Sequence, residues 1–168
     1  GQWPLALLLL GRMISLQIAP DVVTYNAVIS ACEKGCQWEW AVELLARMQA
    51  FALQMDAVTY SAAVSACSGG STSKQWPRAL SLLREMQQGR VRPGLITYSA
   101  AMGACERAGQ WTCALELLAE MRESRLDPGP DACSAALGTC ERHHHWGRAR
   151  GLMKDAELGA QRALGSLA

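Results

Sequence analysis

VVTYNAVISACEKGCQWEWAVELLARMQAFALQMD, residues 22–56, is followed by AVTYSAAVSACSGGSTSKQWPRALSLLREMQQGRVRPG, residues 57–94, and the second stretch restates the first. Thr-Tyr-Asn/Ser-Ala opens both, at Thr24–Ala27 and Thr59–Ala62, and returns at Thr97–Ala100. Ala-Cys follows at Ala31-Cys32, Ala66-Cys67 and Ala104-Cys105, with Thr139-Cys140 as the variant. Five tryptophans, Trp3, Trp38, Trp76, Trp111 and Trp146, are separated by 35, 38, 35 and 35 residues. Gln precedes the first four of them, and a methionine stands ten residues after each of those four, at Met13, Met48, Met86 and Met121. So many positions recurring in phase mark a repeat array.

Each repeat reads as two helices. Tyr25, Val28, Ile29 and Cys32 fall at i, i+3, i+4, i+7 and give one apolar stripe, which predicts helix A over 22–34. Gly35 is the expected helix stop. Trp38, Ala41, Leu45 and Met48 make a second stripe and predict helix B over 38–50. Pro4 and Pro77 directly follow the tryptophans that open their B helices, where the first amides have no intrahelical partner to lose. A short connection makes the two helices antiparallel, and one hairpin cannot bury its apolar face alone. The expected fold is therefore all-α, a right-handed α-solenoid of stacked antiparallel helical hairpins. The repeat at 57–94 is three residues longer than its neighbours, and the polar run Ser68–Lys74 between its helices accommodates the excess.

Composition excludes more than it assigns. Half of the 168 residues are hydrophobic and the net charge is +1, so a packed protein is expected without the global basicity of many nucleic-acid binders. Arginine supplies 13 of the 16 cationic residues. The longest apolar stretch, Leu5–Leu10, is far too short to span a bilayer, and no membrane partner is expected. Gly1 stands at the phase of Gly109, mid-repeat, which reads as a fragment of a longer array. Of seven cysteines, Cys32, Cys67, Cys105 and Cys140 share one repeat position and read as small packing residues in a reducing compartment. Cys140 with His143, His144 and His145 is the one cluster of metal-ligand type, but three consecutive side chains cannot converge on one ion, so no metal or cofactor is expected. No carboxylate set, phosphate-cradling glycine loop or nucleophile elbow is visible, so neither catalysis nor a small-molecule substrate is expected.

A 35-residue helical hairpin with Val-Thr-Tyr-Asn-Ala early, Ala-Cys and Gly near the turn, and Ala-x-x-Leu-Leu-x-x-Met late resembles the pentatricopeptide repeat. Tetratricopeptide repeats run 34 residues and order their signature residues differently. The resemblance divides the chain into a leading B helix (1–21), repeats at 22–56, 57–94 and 95–129, and a degenerate or capping unit (130–168). It implies sequence-selective binding of single-stranded RNA, about one base per repeat, in organellar RNA processing, stability or translation in a chloroplast or mitochondrion. Single-stranded RNA and other RNA-processing proteins are the implied partners.

Carried over, the base-reading pairs are Asn26 with Asp56, Ser61 with Gly94, and Ser99 with Gly129. Asn with Asp implies uracil, then cytosine; the glycines have no side chain to complete the other two pairs. Val23, Val58 and Ile96 are the implied base-sandwiching residues, with Asp131 breaking the pattern in the final unit. Lys34, Arg107 and Arg142 are the implied phosphate contacts, and Gly69 replaces the cation in the longer repeat. Each assignment has an architectural counterpart. Asp21 and Asp56 suit N-caps, the apolar second positions suit helix packing, and the cations suit helix C-termini. Tyr25, Tyr60 and Tyr98 read as inter-helix packing. A protein-interaction scaffold is the competing function, because stacked hairpins also present concave peptide-binding surfaces.

Overall fold

In the computed structural model, residues 2–69 and 74–142 are described, with the backbone alone at 130, 131 and 140–142. Among them are helices α1 (Trp3–Ser15), α2 (Val22–Lys34), α3 (Trp38–Ala50), α4 (Ala57–Gly69), α5 (Trp76–Gln88), α6 (Leu95–Arg107), α7 (Trp111–Glu123) and α8 (Pro130–Arg142), and no strand. The helices expected at 22–34 and 38–50 are α2 and α3 with the same limits. Pro4 and Pro77 lie in the first turns of α1 and α5. The interval between α4 and α5 is residues 70–75, against 35–37 and 108–110 in the neighbouring hairpins.

The helices form two layers. The A helices α2, α4, α6 and α8 pack consecutively on one another. Each B helix packs on the A helix that follows it, and α3, α5 and α7 also pack on the A helix of their own hairpin, while the B-helix backbones stay apart. Burial follows from this. The A helix α4 buries Thr59, Tyr60, Ala62, Ala63, Val64, Ala66 and Cys67, on nearly all sides, because neighbours flank it in its own layer and beneath. The B helix α3 buries a single stripe, Ala41, Leu44, Leu45 and Met48. Small residues in the A layer let backbones approach closely, and Leu-Leu/Met stripes from the B layer fill the space below. Burying each such leucine or methionine contributes about 1.5–3 kcal/mol.

Helix α1 shows what a hairpin lacking one layer looks like. Leu9 is 52% exposed, whereas its repeat equivalents Leu44, Leu82 and Leu117 are 1%, 0% and 4% exposed under their own A helices. Leu5 and Leu8 are exposed beside it. At the other end of the same helix, the Trp3 indole lies where a Cβ on Gly35 would stand, so only glycine fits at the end of α2 against that ring.

Gly35 ends α2 but has an ordinary backbone, φ −87°; the left-handed residue is Cys36, φ 53°. The same conformation recurs at Gln17, Ala52, Arg90 and Arg125 after the B helices and at Gly109 after α6. Paired bonds close each end, as where the Ala52 amide donates to Gln49 O at 2.9 Å and the Leu53 amide to Met48 O at 2.9 Å. The half-buried Leu53 that follows packs on the core, which holds the non-glycine residue in this costly region.

Candidate nucleic-acid interface

Because the A helices run side by side, their N-termini line up along one edge of the A layer. Asp56 and Gly94 directly precede α4 and α6, as Asp21 and Gly129 precede α2 and α8. Asn26, Ser61 and Ser99 are the fifth residues of α2, α4 and α6, one turn inside those starts. The second residues of the same helices, Val23, Val58 and Ile96, are 73%, 60% and 71% exposed. Three large apolar side chains at one repeat position thus face solvent, where ordinary packing would have covered them.

Between the exposed Val23 and Val58 lies a hydrogen-bonded cluster. The Asn26 amide Nδ2 donates to Asp56 Oδ1 at 3.4 Å across the two helices. The Thr59 hydroxyl lies 2.6 Å from Asn26 Oδ1 and 2.8 Å from Asp56 Oδ1, and its single proton serves one acceptor at a time. The Thr59 backbone amide also donates to Asp56 Oδ1 at 2.8 Å, which is an N-cap for α4. A carboxylate only accepts, so the Asn26 NH2 must face Asp56 and its carbonyl must face Thr59. Burial pushes the Asp56 carboxyl up. The Thr59 amide and hydroxyl, the Asn26 amide and the Val58 amide outweigh that effect and hold it below its usual range.

Asp21 shows the same cap without a cross-helix partner from a preceding repeat. Its carboxylate accepts from the Thr24 amide at 2.8 Å and the Thr24 hydroxyl at 2.7 Å. Those two bonds, the hydroxyl's first, lower its pKa. The Thr in Asp-x-x-Thr, at Asp21/Thr24 and Asp56/Thr59, is the member of the cluster that the sequence reading passed over. Its signal was present, since a hydroxyl three residues after an N-cap carboxylate is placed to bond it.

The other two pairs are incomplete in the structure. Ser61 Oγ donates to Val58 O at 3.0 Å, within its own helix. Gly94 caps α6 without a side chain, and a Cβ built there meets nothing within 4 Å, as at Gly129. The glycines therefore leave open space where Asp56 places a carboxylate.

Lys34 and Arg107 are exposed at the last residues of α2 and α6. The Arg107 guanidinium folds back over Gly103, with Nη1 3.7 Å from the position of a Cβ there. Arg142 ends α8, and its side chain lies outside the described residues. Gly69 holds the corresponding place in α4, against the Cys36 thiol. Cys32, Cys67 and Cys105 are buried, and burial pushes the Cys67 thiol up to about 11 and the Cys105 thiol up to about 12, in keeping with packing residues. Tyr25, Tyr60 and Tyr98 are buried between helices. Among the described residues no His, Cys, Asp and Glu side chains group to hold a metal, and no helix is long and apolar enough to cross a membrane. His143, His144 and His145 lie outside the described residues.

The profile of the PPR repeat family matches residues 1–69, and that of the pentatricopeptide repeat domain matches 43–108 and 81–142. The chain belongs to the pentatricopeptide repeat family. Among solved structures it is similar to the maize pentatricopeptide repeat protein PPR10, with 25% identity and a TM-score of 0.69 over 83% of this chain. It is also similar to PPR10 in complex with an 18-nt psaJ RNA element, with 25% identity and a TM-score of 0.64 over 76% of this chain. It spans only 20% and 19% of those two chains. The PPR domain of Arabidopsis thaliana protein-only RNase P 1, in complex with tRNA, matches in fold with 16% identity and a TM-score of 0.70, over 81% of this chain and 72% of that one. No curated protein matches the chain by sequence.

Proposed function

We propose that this pentatricopeptide repeat array binds single-stranded RNA with base selectivity, as a module of organellar RNA processing, stability or translation. The observation that carries the reading is the cluster of Asn26, Thr59 and Asp56 between the exposed Val23 and Val58. Asn26 spends one amide hydrogen on Asp56 and keeps the other. The hydrogen bonds from Asn26 and Thr59 converge on Asp56 Oδ1, so the carboxylate retains acceptor capacity at Oδ2. A donor beside an acceptor matches uracil, whose N3–H donates next to a carbonyl oxygen. It also matches cytosine, whose N4 amine donates next to the N3 acceptor. An unstacked base entering between Val23 and Val58 would gain dispersion contact on both faces while its edge meets this pair.

Ser61 with Gly94 and Ser99 with Gly129 occupy the equivalent places and would read with less discrimination, beside Val58 and Ile96. Lys34, Arg107 and Arg142, at the far ends of the A helices, would contact phosphates. The RNA in the PPR10 and RNase P 1 complexes supports this choice of partner. No catalytic step is assigned to this chain.

The test is fluorescence anisotropy of four labelled RNA homopolymers against the chain, at low and moderate salt. Saturable binding that favours oligouridine is expected, with Asn26→Ala lowering that preference more than total affinity. Equal loss on all four homopolymers would remove Asn26 from base reading. No binding at either salt would favour the protein-scaffold function instead.

A further inference from the structure

Where the A helices end, the repeats do not carry the same charge. Glu33-Lys34 ends α2, Glu106-Arg107 ends α6 and Glu141-Arg142 ends α8, an acid and a base side by side each time. Ser68-Gly69 ends α4, with no charge in either place. The missing cation has a steric reason. A Cβ built on Gly69 would stand 3.0 Å from the Cys36 thiol, which the preceding turn lays against the end of α4. A lysine or arginine there would have to displace that thiol.

From Ala57 to Pro77 the one charged residue is Lys74. It stands in the longer connection, two residues before α5, which puts its Cα within about 7 Å of the first residue of that helix. Helix α5 packs on α4, so Lys74 lies on the edge of the array where the A helices end and the B helices begin, the edge of Lys34 and Arg107. It is exposed and makes no ion pair with a described carboxylate. Lys34 has a different setting. Burial raises the Glu33 carboxyl beside it, and the Ser65 hydroxyl and the Lys34 charge pull it back. A phosphate that meets Lys34 therefore also meets Glu33, whereas one that meets Lys74 finds no carboxylate in that turn. An ammonium on a flexible four-carbon stem needs no fixed approach to a phosphate oxygen, so it can serve from a turn as well as from a helix end.

We propose that Lys74 contacts a phosphodiester of the bound single strand at the repeat 57–94, in place of the cation that α4 lacks at Gly69. The inference rests on the RNA-binding function and its phosphate edge. It adds a contact that the repeat register does not give, because Lys74 is not the last residue of an A helix.

The experiment measures anisotropy of labelled oligouridine and oligoadenosine against the chain over a salt series. Wild type is compared with Lys74→Gln, with Lys74→Arg, with Lys34→Gln as the reference contact, and with Arg84→Gln, which removes one charge from the B layer. Thermal midpoints verify that the variants remain folded. Each lost phosphate contact lowers the slope of log K against log salt by about 0.7 for a single strand, so a fourfold rise in salt costs such a variant about 2.6-fold less affinity than wild type. Lys74→Gln and Lys34→Gln should each show that change on both oligomers, with the uridine preference intact, while Lys74→Arg and Arg84→Gln keep the slope. An unchanged slope in Lys74→Gln beside a lowered one in Lys34→Gln overturns the Lys74 contact and leaves the phosphate edge standing. The same loss in Arg84→Gln overturns it too. Unchanged slopes in both lysine variants overturn the phosphate edge, and wild type that binds neither oligomer at any salt overturns RNA binding, each taking the Lys74 contact with it.

Discussion

Replacing Thr59 by valine keeps the shape of a side chain that is 0% exposed and deletes the hydroxyl that joins Asn26 to Asp56. That hydroxyl has one proton, shared between Asp56 Oδ1 at 2.8 Å and Asn26 Oδ1 at 2.6 Å, so one charge-assisted bond is lost, together with the longer bond it accepts from the Asp56 amide at 3.3 Å. Such a bond is worth about 1.5–3 kcal/mol. The methyl that replaces it returns about 0.8 kcal/mol of burial. Asp56 and Asn26 are partly open to solvent and recover water, so the expected net loss is about 1–2 kcal/mol. Thr97 supplies the internal control, because it occupies the same repeat position at 2% exposure behind Gly94, which offers no carboxylate. Thr97→Val should therefore cost about 1 kcal/mol less. Urea unfolding at unchanged m-value measures both. In the anisotropy assay Thr59→Val should also erode uridine preference, because the Asn26 amide loses the group that fixes its orientation. A Thr59→Val loss no larger than that of Thr97→Val would refute the reasoning, and so would unchanged base preference.

Among the described residues the buried Tyr25 hydroxyl has no hydrogen-bond partner, whereas that of Tyr98 accepts from Gln87 Nε2 at 3.5 Å. Tyr25→Phe should stabilise by up to about 1 kcal/mol and Tyr98→Phe should not; thermal midpoints that fall equally would contradict this. Ala52 sits at φ 52°, so Ala52→Gly should stabilise by about 1 kcal/mol and raise the midpoint by a few degrees, and a lower midpoint would mean that the left-handed helix end is wrong. Asp56 has its pKa held below the usual carboxylate range, so its stabilisation is complete above the unfolded-state value of about 3.9 and is lost as pH falls through the folded value. The deficit of Asp56→Asn in urea unfolding should thus be full near neutral pH and shrink below about pH 4, and a deficit that stays constant under acid would count against the shift.

The helices were legible because two independent signals agreed on them. Tyr25, Val28, Ile29 and Cys32 set the face of α2, all four are buried, and the recurrence of the pattern fixed its limits. Features that depend on what lies outside a helix were harder to read. Gly35 is the helix stop that the sequence indicates, but the left-handed residue falls one position later, at Cys36, and only Trp3 against Gly35 explains the glycine. Val23, Val58 and Ile96 are residue types that usually pack, and a helix as apolar as α4 does not announce which of its faces lacks a neighbour. The layering leaves that face open. Thr59 stood out only as part of the repeated Thr-Tyr-Asn/Ser-Ala, because a hydroxyl's role is set by the acceptors that the fold brings to it.

Capping and base reading first looked like rival roles for Asp56, and the geometry makes them compatible. Oδ1 takes the Thr59 amide and hydroxyl and the Asn26 amide, which anchors α4 and orients the carboxylate. In the proposed function the remaining oxygen then meets the base already fixed, so little side-chain freedom is lost on binding. The same economy explains why glycine is tolerated at positions 94 and 129. The exchange of an aspartate for glycine costs the cap itself only about a few tenths of a kcal/mol, but at Asp56 it would also remove the bonds from the Thr59 hydroxyl and the Asn26 amide, so the cost is small only where no such partners are engaged.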